Sequence, residues 1–301
     1  MHAIVIKLLP VFLFFCLGIL LRRLRFANAE QAGFLLKFVF FIAVPALVLM
    51  KISQLTFTQE KLLLPVVSIT INLVCLFATV IAVRLFSIDR HSFGTMLICT
   101  AMANNSFIYP FVLYGMGDRA FSDLVLLDVG NALSTAILGY GIALSFNNRA
   151  GGIKPVIIKL IMSPLIWAVI LALYFSAFSV AIPSAIGVFL DALGQMVGPL
   201  IMIALGIVFV PGLEDGRLVA LTIFIRSGVG LLAGMLFGWL FGFQGVTFAV
   251  ILLSAAAPIG FTTLALTAIG QLNTGLASRA VSFSILLGLV YTPVMIFLLY
   301  P

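Results

Sequence analysis

Residues 99–118 read CTAMANNSFIYPFVLYGMGD, an apolar run interrupted by Asn104, Asn105 and Ser106, with Pro110 four residues further on. Polar amides inside an apolar run of membrane length are costly unless answered. Proline removes a backbone donor and clashes with the carbonyl four residues back. The stretch therefore predicts a helix broken over about 104–110, restarting with Pro110 near the first helical position. Residues 252–270, LLSAAAPIGFTTLALTAIG, repeat the device with Pro258, Gly260, Thr262 and Thr263.

The composition around these two stretches identifies the solvent. Of 301 residues 63% are hydrophobic and 8% charged, with a mean hydropathy of +1.31. Nine acids and 16 bases cannot coat a 32.4 kDa particle in water. Continuous rather than alternating apolar runs disfavour a β-barrel. The expected fold is all-α and polytopic. Apolar runs near 3–21, 30–50, 62–86, 93–115, 122–146, 153–175, 187–210, 218–241, 246–270 and 275–300 give ten transmembrane spans with short links.

The prolines and glycines recur at a fixed offset. Pro10 and Pro164, Gly33 and Gly187, and Pro45 and Pro199 are each 154 residues apart, and Gly117 and Gly270 are 153 apart. This register predicts two five-span repeats, 1–148 and 149–301, with scaffold and transport subdomains interleaved. Five is odd, so the second half enters the membrane inverted. Inverted halves with interrupted helices at matching positions are the pattern of secondary transporters. If broken spans 4 and 9 cross, two half-helix N-termini direct unpaired N–H groups at one point, which suits a carboxylate. Asn104, Asn105, Ser106, Tyr109, Pro110, Pro258, Gly260, Thr262 and Thr263 are the candidate substrate-binding residues.

Asp128, Asn131 and Thr135 fall at i, i+3 and i+7 on one helical face. An intramembrane acid there suggests a proton acceptor or a support for the unwound backbone of span 4, with a permanently paired structural acid as the alternative. Arg226 lies about eight residues into span 8, roughly 12 Å of rise. Snorkelling to the cytoplasmic surface is favoured over ligand contact. Lys37 and Lys159 read the same way, Asp191 as solvated near the outer interface, and Asn72 and Gln195 as inward-facing amides. Gly230, Gly234, Gly238 and Gly242 form GxxxG steps, with internal packing as the default and a homodimer face as the alternative.

Basic residues after odd spans (Arg22, Arg23, Arg25, Arg84, Arg90, Arg149, Lys154, Arg217, Arg279) outnumber those opposite (Lys7, Lys51, Lys61, Arg119). Odd-span loops are thus expected in the cytoplasm, with both termini outside. The net charge of +7 is scattered singly, so a nucleic-acid partner is not expected. Cys16, Cys75 and Cys99 lack CxxC spacing, and only His2 and His91 are present, so neither disulfide, metal nor cofactor is expected. The absence of GxxxxGK[ST], HExxH and GxSxG argues against ATP-driven transport and against an enzyme.

Residues 103–118, ANNSFIYPFVLYGMGD, and 255–270, AAAPIGFTTLALTAIG, followed by LASRAVSFSILLGLVYTPV, resemble the auxin efflux carrier family. That family includes bacterial permeases described as malonate or malate transporters, and plant auxin exporters. The resemblance implies the fold of bile acid:sodium symporters and sodium/proton antiporters: a scaffold domain, a transport domain, crossed broken helices and an elevator-like movement. It implies a carboxylate site that maps to Asn104 or Asn105, Pro110 and Pro258. The bacterial pattern Asn-Thr-Gly-Phe-Ile-Gly-hydrophobic-Pro is one residue longer than Asn104 to Pro110, and Tyr109 replaces a small residue. The short Asn147–Lys154 link is closer to a bacterial-type permease of the inner membrane. The expectation is a carrier of small organic anions, with proton or sodium coupling open. A sodium-coupled symporter of the bile-acid type and a non-transporting receptor are the alternatives.

Overall fold

The computed structural model describes residues 2–53, 59–86, 88–147, 158, 161–178, 180–209, 212 and 214–300. Arg149, Lys154, Lys159, the boundary between the two expected halves and the side chain of Lys7 lie outside the described residues. The described chain is helical, without strands. Its elements are α1 (His2–Arg23), α2 (Ala29–Lys51), α3 (Lys61–Leu85), α4 (Arg90–Thr100), α5 (Asn105–Met116) and α6 (Asp118–Phe146). They continue as α7 (Pro164–Ala177), α8 (Ser184–Val208), α9 (Gly216–Leu240), α10 (Gly245–Ala255), α11 (Thr263–Ile269) and α12 (Thr274–Leu299). Among the described residues six helices, α2, α3, α6, α8, α9 and α12, are long and apolar enough to cross a membrane, and α7 and α10 are shorter apolar helices.

Local sequence explains the irregularities. Pro45 in α2 cannot donate to Phe41, and the ladder just before it opens into a π turn over Val39–Ala43, where the Val44 N–H reaches Val39. Similar π turns interrupt α6 at Thr135–Gly139 and α9 at Phe224–Val229. Large apolar side chains such as Phe77, Trp239 and Leu298 are exposed on the outside, as a lipid solvent permits.

The helices pack as two groups. α1, α2, α7 and α8 lie chiefly against one another, while α3, α4, α6, α9, α10, α11 and α12 form the second group; α5 is the main bridge between them. In the first group a Cβ at Gly18 would stand 2.2 Å from the Ile203 carbonyl oxygen, and one at Gly206 2.2 Å from that of Phe15. Only glycine lets α1 and α8 approach so closely. In the second, Gly230, Gly234 and Gly238 face α10, where added Cβ atoms would meet Ala255 and Phe248 within 2.4–2.7 Å. These three glycines therefore serve internal packing.

A buried ion pair ties the second group together at one end. Lys61 Nζ lies 2.6 Å from Asp123 Oδ1, and Thr247 Oγ1 donates to Asp123 Oδ2 at 2.7 Å. Removing one partner of such a pair leaves an uncompensated buried charge. Asp123→Ala is expected to destabilise the fold by about 3 kcal/mol or more. Detergent unfolding curves superimposable on the wild type would contradict this packing.

Candidate functional site

Two breaks meet at the centre of the second group. The chain between α4 and α5 and the chain between α10 and α11 run antiparallel, with Ala103 opposite Ile259. The Asn104 N–H donates to the Pro258 carbonyl at 2.8 Å, and the Gly260 N–H to the Met102 carbonyl at 3.1 Å. Asn131 answers both remaining groups of Ala103: its Oδ1 accepts the N–H at 3.0 Å, and its Nδ2 donates to the carbonyl at 2.9 Å. Ser284 Oγ accepts the Ile259 N–H at 3.1 Å. Gly260 admits the approach, since a Cβ there would sit 3.3 Å from the Ala103 carbonyl oxygen.

The first break differs from the sequence expectation. It occupies 101–104, α5 starts at Asn105, and Pro110 lies inside that helix rather than at its start. The cause is the cap: Asn104 Oδ1 accepts the Phe107 N–H at 3.2 Å, and asparagine is a strong N-cap. The second break, 256–262, contains Pro258, Gly260 and Thr262 as expected, and Thr263 is the first residue of α11.

A polar network backs the crossing. Asp128 accepts from Asn105 Nδ2 at 3.1 Å, Asn131 Nδ2 at 3.2 Å and Tyr109 Oη at 2.6 Å. It receives three donors, the pattern that suits an acceptor-only carboxylate. Asn131 Oδ1 also accepts from Asn72 Nδ2 at 3.3 Å, and Asn72 Oδ1 from Arg226 Nη1 at 2.9 Å. The backbone N–H of Ala103 and the guanidinium leave no choice in the orientation of these two amides. Arg226 is fully buried and does not snorkel. The π turn of α9 carries it inward to the ends of α4 and α10, where it meets the Thr100 carbonyl at 3.2 Å and that of Ala255 at 3.0 Å.

Between the helix groups lies a cavity of about 800 Å³. Asn104, Asn105, Ser106, Gly260 and Thr262 line it from the crossing, Asp128, Asn131 and Thr135 from α6, and Phe40, Phe41, Met162, Pro164 and Leu165 from α2, the approach to α7 and its start. The N-terminal ends of α5 and α11 border it. The Asn104 Oδ1 is committed to its cap, and its Nδ2 is buried with no acceptor among the described residues. Tyr109, Pro110, Pro258, Thr263 and Arg226 stand behind the lining. Gln195 lies elsewhere, exposed, donating to Asp191 at 2.8 Å. Sequence reasoning missed Ser254, Ser284, Tyr291 and Thr100. Ser254 Oγ donates to Asn105 Oδ1 at 2.8 Å, and Tyr291 Oη to the Ala256 carbonyl at 2.5 Å. The i, i+7 spacing of Ser284 and Tyr291 was their only sequence signal.

A family profile described as a membrane transport protein matches residues 3–156 and 152–296. The chain belongs to this membrane transport protein family. It is the auxin efflux carrier family that residues 103–118 resemble. Among relatives, a Methanothermobacter thermautotrophicus protein named an uncharacterized transporter is 26% identical over 299 residues, covering 95% of each chain. A second uncharacterized transporter, from Methanocaldococcus jannaschii, is 26% identical over 265 residues, 84% of each chain.

In this membrane transport protein Asn131 holds the unwound backbone. Asn131→Ala leaves both polar groups of Ala103 unanswered, and is expected to cost at least about 2 kcal/mol in detergent unfolding. An unchanged unfolding midpoint would show that water or another side chain takes over the role.

Proposed function

We propose that the chain is a secondary carrier of small organic anions, built as ten spans in two inverted halves, with the cavity at the crossing as its carboxylate site. The observation that carries this reading is Asn104, which lines the cavity where two half-helix N-termini border it and whose buried Nδ2 has no acceptor among the described residues. Helix N-termini carry partial positive charge and first-turn N–H groups that have no intrahelical acceptor. A carboxylate answers all of these at once. Asp128 does not oppose it, because three donors cover its oxygens and the Asn131–Asn72 chain connects it to Arg226.

No lysine or arginine side chain lines the cavity among the described residues, and its remaining wall is largely apolar. That favours a single carboxylate on an apolar body over a dicarboxylate, whose second charge lacks a partner. With odd-span loops in the cytoplasm and both termini outside, Thr135, Tyr140 and Met162 lead from the crossing towards the cytoplasm. The cavity is then open inward. Outward exposure follows when the group containing the crossing slides against α1, α2, α7 and α8, an elevator-like movement. The outer end of that interface is tied by Lys51 and Asp118, 3.1 Å apart.

Asn104→Asp separates binding from folding, because aspartate keeps the cap acceptor but removes the free donor. The variant is expected to melt within a few degrees of the wild type and to lose at least about tenfold in affinity for monocarboxylates. Thermal-shift titration of purified protein and uptake into proteoliposomes measure the two quantities. Wild-type binding and uptake in the variant would remove Asn104 from the site.

Asp128→Asn places an amide among groups that already donate. Uptake is expected to fall while the protein still inserts into membranes. Full uptake by this variant would detach Asp128 from the transport site.

A further inference from the structure

Opposite the cavity, the two breaks present their other ends. α4 and α10 finish side by side, and helix C-termini carry partial negative charge and carbonyls that have no intrahelical donor. Two such ends in hydrocarbon call for a cation, and in transporters with interrupted helices C-terminal ends of this kind coordinate dissolved ions. Here the place is filled by the protein itself. The Arg226 guanidinium spans the Thr100 and Ala255 carbonyls at 3.2 and 3.0 Å, and holds Asn72 Oδ1 at 2.9 Å. Cys75 Sγ lies 3.7 Å from the same Nη1.

Three further observations single out this arginine. It is fully buried, yet no carboxylate lies within ion-pair distance among the described residues. Its neighbours are shaped to admit it: a Cβ at Gly230 would stand 2.4 Å from the Ala255 carbonyl oxygen and 3.4 Å from Arg226 Nη2. Its position depends on the π turn at Phe224–Val229, a local defect that a regular helix avoids unless something offsets it.

We propose that Arg226 is a built-in counter-cation: its fixed positive charge neutralises the paired C-terminal ends of the interrupted helices, so that no dissolved alkali cation is bound there. It is a positioning residue, acting on the cavity through Asn72 and Asn131 and through the two helix ends it holds. The charge claim stands without the carrier reading, whereas its consequence, a transport cycle with no alkali cation at the crossing, rests on it. Arginine suits the task because its planar fork answers two carbonyls together and stays protonated.

The test is thermal unfolding of the purified full-length protein in detergent, which needs no substrate. Arg226→Lys keeps a charge without the fork and is expected to melt below the wild type but clearly above the Met variant. Arg226→Met keeps length without charge and is expected to melt about 10 °C lower or fail to accumulate folded. Arg226→Ala is expected to regain stability saturably with guanidinium at about 20 mM, far below the molar concentrations at which it denatures. Urea, similar in shape but neutral, is expected to give no recovery. Sodium is expected to stabilise Arg226→Ala relative to choline and to leave the wild type unmoved. Equal melting of the Met and Lys variants overturns the proposal, as does equal recovery by urea and guanidinium. A saturable sodium shift in the wild type overturns the statement that no alkali cation is held there. If Arg226→Ala does not fold, the Lys and Met pair decides alone. Loss of carboxylate binding with these results intact would sink the carrier reading and leave the counter-cation in place.

Discussion

Backbone unwound within hydrocarbon must have each N–H and C=O answered, because no water is present to answer them. The two breaks meet this constraint by pairing with each other at Ala103 and Ile259, and by recruiting Asn131, Ser284, Tyr291 and Arg226 for groups that the pairing leaves over. Helices α6, α9 and α12 are therefore not a generic bundle around the crossing. α6 places Asn131, α9 Arg226, and α12 both Ser284 and Tyr291 where particular backbone groups need them.

The same pairing sorts the helix ends by charge. The N-terminal ends of α5 and α11 border the cavity, and the C-terminal ends of α4 and α10 meet at Arg226. Partial positive charge faces the cavity, and partial negative charge meets the buried Arg226 guanidinium. Asp128, Asn131 and Asn72 connect the two sides through hydrogen bonds. The cavity lining and its support are thus parts of one network, with Asp128 and Asn131 neighbours along a single helix face.

Much of this was legible in the residues. Pro258 and Gly260 within an apolar run located the second break, and the Asn-Asn-Ser triplet located the first to within a few residues. The i, i+3, i+7 spacing of Asp128, Asn131 and Thr135 named the helix face that supports the crossing. Pro110 misled because proline is a common helix starter, but Asn104 caps the helix earlier and leaves the proline inside it. Arg226 misled for another reason. Its depth along the span allowed its stem to reach the surface, while its partners come from α3, α4 and α10 and share no local pattern with it. A contact set that runs from Asn72 to Ala255 is invisible to periodicity. Asp123 escaped notice likewise, because its lysine partner lies 62 residues away.

The central claim, that the fourth and ninth apolar stretches are broken and paired antiparallel at one point, is tested most directly by disulfide crosslinking. The hydrogen bonds flanking Ala103 and Ile259 make them a non-hydrogen-bonded antiparallel pair, for which Cα atoms lie about 4.5 Å apart, within disulfide range. With Cys16, Cys75 and Cys99 replaced by serine, cysteines at 103 and 259 should join almost completely under mild oxidation in membranes, detected as a linked peptide by mass spectrometry. Cysteines moved to Ala103 and Leu266, along α11, should not. Absence of the 103–259 link in folded, membrane-inserted protein would contradict the account.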